Sequence, residues 1–221
     1  MKHLPIRRIA FTTPQAVRAT LADEARAYYA AERHAELLAF VAARLEAIPE
    51  ESDVVHDLLA HLAEQMIALH QGRQAALEAF LLDLEGVLPA GQLAQLGRLY
   101  TPPRPPAQTA DATKQAAYHA ALTDAQAVLG AMATQRIELR AAVGLLNEAQ
   151  WKWLLKARLK QKVGSMAELV HVFRTRQPAI AKLDARITTT DHLIDQVVYQ
   201  LYGLTPEEVA LMLCEDTATS K

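Results

Sequence analysis

An all-α fold is what this sequence predicts: an elongated antiparallel helical coiled coil or bundle with a short extended segment at its N-terminus. Three observations lead there. Of the 221 residues 51% are apolar but only 5% are aromatic, so a core would be built mainly from Ala, Leu and Val, which suits helices packed closely along their length. Alternating runs of Val, Ile and Thr, the mark of strands, are nearly absent. Three stretches instead repeat apolar residues at alternating spacings of three and four, the seam of a coiled coil.

Taken in order, "LPIRRI" (4–9) reads as extended, a proline followed by alternation. Thr13 as N-cap and Pro14 at the first helical position then start a helix expected to reach about residue 31. "HAELLAFVAARLEAI" (34–48) is a second helix, ending before Pro49. Ser52 is expected to cap the third, with Asp53 and Asp57 suited to its positive end. Its seam is Leu59, Leu62, Met66, Leu69, Arg73, Ala76 and Phe80, running to about Leu84 and stopping at Gly86. A short helix, "AGQLAQLGRLY" (90–100), follows.

"TPPRPPAQTADAT" (101–113) is the one clear linker, since Pro102, Pro103, Pro105 and Pro106 exclude helix and favour a stiff spacer. It divides the chain into N-terminal helices (1–100) and C-terminal helices (114–221). A second seam then runs through Tyr118, Leu122, Ala125, Leu129, Met132, Arg136, Leu139, Val143 and Leu146, predicting one helix over 115–146 of roughly 45 Å. Arg73 and Arg136 interrupt the two seams. Each either fixes register and reaches a partner, or snorkels out of a seam lined by Ala. Residues 147–175 predict one or two shorter helices. A last long helix begins near Ala179, with the seam Ile180, Leu183, Ile187, Thr190, Ile194, Val197 and Leu201.

The ending is the most sharply written part. Gly203 stands where a helix ending at Tyr202 needs a left-handed residue. Thr205 is an N-cap, Pro206 takes the first helical position, and Glu208 completes a capping box. Tyr199 and Tyr202 lie one turn apart beside this corner, with Asp195 on the face of Tyr199. Geometry permits a helix-turn-helix here, but the second helix, "PEEVALMLCED" (206–216), offers four acids and no base, which argues against its reading DNA.

"TTDHLIDQVVYQLYGLTPEEVAL" (189–211) resembles the C-terminal signature of large adenine-specific DNA methyltransferases, among them the type IIG restriction-modification enzymes. "LPIRRIAFTTP" (4–14) resembles their segment leaving the target-recognition domain, and "LLAFVAARL" (37–45) and "SDVVHDLLAHLAEQMIAL" (52–69) the helices that follow. The resemblance covers about residues 1–85 and 178–213, while 101–177 does not match. It implies that Asp195, Tyr199, Tyr202, Gly203, Thr205 and Glu208 are signature residues that build the corner. The family's catalytic features are missing: there is no Asn-Pro-Pro-Tyr motif, no glycine-containing loop for S-adenosylmethionine and no strand-borne nuclease carboxylates. No catalytic residue is therefore carried over and no cofactor is expected; S-adenosylmethionine would belong to a methyltransferase part outside this chain.

For nucleic-acid contact the residues to single out are in "WKWLLKARLKQKVG" (151–164): Lys152, Lys156, Arg158, Lys160 and Lys162, with Arg174 and Arg176 nearby. Lys152, Lys156 and Lys160 recur every four residues as a stripe on one helix face, and no acid lies between Glu148 and Glu168. Trp151 and Trp153 could stack on bases or anchor the helix in the bundle. A net charge of −2 argues against wholesale coating of nucleic acid or membrane. Metal binding is disfavoured: Asp53 with His56, and Asp57 with His61 and Glu64, share faces, but the two Glu-x-x-His pairs that a two-metal bundle needs are not there. The single Cys214 excludes an internal disulfide and fits a reducing cytosol. With no long apolar run, a cytoplasmic protein without a membrane partner is expected. The expected role is a non-catalytic spacer and docking module of a restriction-modification system. Its partners would be a methyltransferase or target-recognition domain, possible DNA backbone and possible further copies of itself. The alternative is a stand-alone coiled-coil adaptor that binds only protein.

Overall fold

The computed structural model describes residues 7–88, 91–107, 111–159 and 163–211. Its elements are α1 (Gln15–Ala30), α2 (His34–Leu45), α3 (Ser52–Val87), α4 (Gln92–Leu96), β1 (Arg98–Tyr100), α5 (Ala112–Leu129), a 3-10 turn (Gly130–Thr134), β2 (Ile137–Glu138), α6 (Leu139–Ala142), α7 (Glu148–Leu159) and α8 (Val163–Leu201). Residues 206–211 are helical after α8 ends. The fold is all-α. Its sheet among the described residues is one short antiparallel pairing, Arg98 opposite Glu138 and Tyr100 opposite Ile137. Two compact units form, Met1–Leu69 with Arg186–Lys221, and His70–Ala185.

In the first unit, residues three and four apart on each helix turn one face inward. α1 contributes Ala25 and Tyr29, α2 contributes Leu37 and Val41, α3 contributes Val54, Leu58 and Leu62, and α8 contributes Leu193, Val197 and Leu201. Each fully buried Leu or Val stabilises by about 1.5–3 kcal/mol relative to exposure. The buried Thr190 of the third seam is matched by a buried phenol, Tyr29 Oη to Thr190 Oγ1 at 2.9 Å. The start of α1 differs from expectation. Pro14 holds the N-cap position without a side-chain cap, while Thr13 donates its N–H and hydroxyl to Asp53 at 2.9 and 2.7 Å. The buried carboxylate is the stronger acceptor, so Thr13 ties α1 to α3 instead of capping its own helix. Ser52, expected as a cap, is the first residue of α3.

In the second unit the core gathers on Trp151, whose ring stacks on Phe173 at 5.0 Å and 12° and tilts against Phe80 at 5.9 Å. Its indole N–H donates to the Leu169 carbonyl at 3.3 Å. Here the predicted helix over 115–146 is broken. α5 ends at Leu129, about 27 Å long, because Gly130 takes φ 58° and ψ −130°, a conformation closed to a helix. Ile137, Leu139, Val143 and Leu146 still reach the core, from β2, α6 and the turn after it. The expected helix over 90–100 is also split, into α4 and β1.

The expected start near Ala179 is corrected too: α8 begins at Val163 and carries Pro178 inside it. Pro178 has no N–H for the carbonyl one turn earlier, and it sits on the exposed side. Beside it, the Gln177 amide donates to the Gly144 and Leu146 carbonyls at 3.0 and 3.1 Å. Residues 101–107 lack regular structure, and Asp111 caps α5 by accepting the Lys114 N–H at 2.8 Å. The proline-rich stretch lies within the second unit, and the units divide inside α3 and α8.

Candidate nucleic-acid interface

α7 carries the basic stripe, and its two tryptophans orient it. Trp151 is fully buried and Trp153 packs at 6.1 Å against Tyr100, so both anchor the helix. Glu148, at the first turn of α7, binds two of the seven candidate cations. Lys152 Nζ lies 2.5 Å from it, and Arg174 grips it with two bonds of 2.5 and 2.8 Å. The Arg174 bond first, then that of Lys152, pull the Glu148 carboxyl down to about 2. Arg176 is paired as well, donating to Asp83 at 2.7 and 3.3 Å, and this bond holds the Asp83 carboxyl below its usual range.

Lys152, Arg174 and Arg176 are thus each paired with a carboxylate distant in sequence or just outside the basic run, Lys152 and Arg174 sharing Glu148. Lys156 is exposed on α7 and Arg158 lies in the last turn of that helix. Lys160 and Lys162 lie outside the described residues. A phosphate approaching Lys152 or Arg174 would have to compete with a carboxylate already bound in bidentate fashion.

The two seam arginines part ways. Arg136 is exposed. Arg73 donates through Nε to Asp184 and through Nη2 to the Arg140 and Ala141 carbonyls at 3.2 and 3.3 Å. It joins α3, α6 and α8 within the second unit. Gly144 admits this arrangement, for a Cβ there would stand 2.0 Å from Asp184 Oδ2. Sequence reasoning singled out Arg73 but had no signal for Asp184, which meets it across more than a hundred residues of chain.

At the end of α8, Gly203 has φ 63°. The Gly203 N–H donates to the Gln200 carbonyl at 2.9 Å and the Leu204 N–H to the Tyr199 carbonyl at 3.0 Å, the paired bonds of a Schellman motif. Thr205 and Glu208 exchange bonds, Thr205 N–H to the Glu208 carboxylate at 2.9 Å and Glu208 N–H to the Thr205 hydroxyl at 3.3 Å. Asp195 and Tyr202 are exposed and Tyr199 is half-buried, and the hydrogen bonds that turn the corner come from backbone and cap.

Most of the residues weighed for metal are otherwise engaged. Asp57 pairs with Arg18 at 3.1 Å and His56 at 3.2 Å. His61 meets the Tyr29 ring edge-on at 5.9 Å, and burial, then the Arg26 charge, push its imidazole below the usual value. Among the described residues no group of three His, Cys, Asp or Glu side chains could hold a metal ion. Cys214 lies outside them. An open cleft of about 440 Å³ in the second unit is lined by Glu85, Glu138 and Arg140 together with Leu81, Leu93 and Leu139. Among the described residues no helix is long and apolar enough to cross a membrane. No protein family, curated protein or solved structure matches the chain.

Proposed function

We propose that this chain is a non-catalytic helical spacer and docking module of a cytoplasmic DNA restriction-modification system of the adenine-methylating kind. One observation carries the reading. The four stretches that resemble such enzymes, 4–14, 37–45, 52–69 and 189–211, all fall in the first compact unit although most of the chain separates the third from the fourth. The unmatched residues 101–177 all fall in the second unit, together with the matched ends 70–85 and 178–185, as an insertion carried on matched helices would. The first unit docks the methyltransferase or target-recognition partner, and S-adenosylmethionine and the chemistry reside in that partner. Contact with DNA backbone falls to Lys156, Arg158, Lys160 and Lys162, because Lys152, Arg174 and Arg176 are held by Glu148 and Asp83.

Those same three ion pairs favour a second reading, an adaptor that binds only protein. Anisotropy of a short fluorescent duplex, titrated with the full chain across a salt series, separates the two. Four phosphate contacts predict a log–log slope of about −3.6, flattened by changing Lys156 and Lys160 to Glu. Absence of binding at about 50 mM salt, where non-specific contacts are strong, would remove DNA from the proposal and leave the adaptor.

A further inference from the structure

α5 is anchored to the second unit at one end. Ala125 and Leu129, near its C-terminus, are buried in that unit's core, and Gln150 of α7 donates to the Val128 carbonyl at 3.2 Å. None of residues 112–124 is buried; Tyr118 and Leu122 are half-buried and the others are exposed. Yet this span is not polar all round. Ala117, Tyr118, Ala121 and Leu122 continue, at spacings of three and four, the face on which Ala125 and Leu129 meet the core. A helix that draws its stability from packing one face leaves four of these six positions outside the core, two of them half-buried and two exposed.

We infer that this face is a self-association surface, on which α5 of one copy crosses α5 of a second copy antiparallel around residues 118–122. The occupant follows from the placement of charge. The span carries Lys114 near its start and Asp124 near its end. With a two-fold axis near residue 120, Tyr118 of one copy lies over Leu122 of the other. Lys114 then falls within one turn of Asp124 of the second copy, and the same contact repeats on the other side of the axis. A parallel pair would set lysine beside lysine and aspartate beside aspartate, a repulsive arrangement. Ala117 and Ala121 let the two backbones approach closely. Such an isologous contact closes at two copies. It stands independently of any role on DNA.

Sedimentation equilibrium of the full chain from about 1 µM to 1 mM tests it, with a reversible dimer expected. Leu122→Glu, on a half-buried side chain outside the core, should leave the helical circular dichroism unchanged and weaken the dimer by about tenfold or more. Lys114→Glu and Asp124→Lys should each weaken it, and the double exchange should restore it. The Lys114–Asp111 pair within one helix, 3.6 Å apart, cannot supply that rescue, because the double variant leaves it broken. A monomer at every concentration, a dimer indifferent to Leu122→Glu, or a double variant no better than the singles would each overturn the inference.

Discussion

Asp53 shows how much one side chain organises. It is fully buried, and burial alone would raise its carboxyl, but the Thr13 hydroxyl and N–H, the Val54 N–H and the Arg18 charge outweigh this and hold it below the ordinary 3.8. A carboxyl depressed by folding adds stability above its unfolded pKa, and this stability is lost as pH falls through the lower folded value. Asp53→Asn should therefore cost about 1–3 kcal/mol at pH 7, measured by urea unfolding, and should flatten the loss of stability below about pH 4. Equal slopes for both proteins would sink that account. Gly144 is the counterpart in the second unit. A methyl there meets Asp184 Oδ2 at 2.0 Å and Ile180 Cγ2 at 3.2 Å, so Gly144→Ala should destabilise by about 1–3 kcal/mol. An unchanged melting temperature would mean that Asp184 moves aside freely.

The helices differ in what ends them. α8 closes with a Schellman motif at Gly203 and hands over through the Thr205–Glu208 capping box, all short-range chemistry. α5 ends at a glycine whose backbone no other residue adopts easily. α8 carries Pro178 on its exposed side, where little packing depends on the ring, so the cost is the missing donor and the ring's crowding of the carbonyl one turn earlier. Pro178→Ala should restore that bond and raise stability by about 2 kcal/mol, the helix-interior penalty of proline less the entropy it removes from the unfolded chain. Thermal unfolding followed at 222 nm checks it; a loss of stability would show that the ring fixes the path of α8.

For the molecule as a whole, charge is the governing quantity. The net charge is −2 with eight histidines, and the isoelectric point is about 6.4. If the proposed contact with DNA holds, duplex affinity at fixed ionic strength should rise between pH 8 and pH 6, as the chain passes through its isoelectric point of about 6.4 and its net charge changes sign. A flat profile would confine the contact to Lys and Arg side chains. The Glu148 carboxyl, held at about 2, stays ionised over this range, so Lys152 and Arg174 remain paired throughout.

What the sequence by itself determined is local. The all-α class, the cap signals at residues 203–208 and many buried seam positions followed from spacing and capping chemistry, which act within a turn or two of helix. The seam alone could not reveal that a continuous pattern from Tyr118 to Leu146 would be folded by Gly130 into a helix, a 3-10 turn and a strand, since burial in one core satisfies the pattern along any path. Nor could it reveal that α8 runs through Pro178, a choice made where exposure limits the ring's cost. The basic stripe looked free of acids along the chain. Tertiary structure alone brought Asp83 to Arg176, Glu148 to Arg174 and Asp184 to Arg73, because Coulomb attraction and hydrogen bonding depend on distance in space and not on separation in sequence.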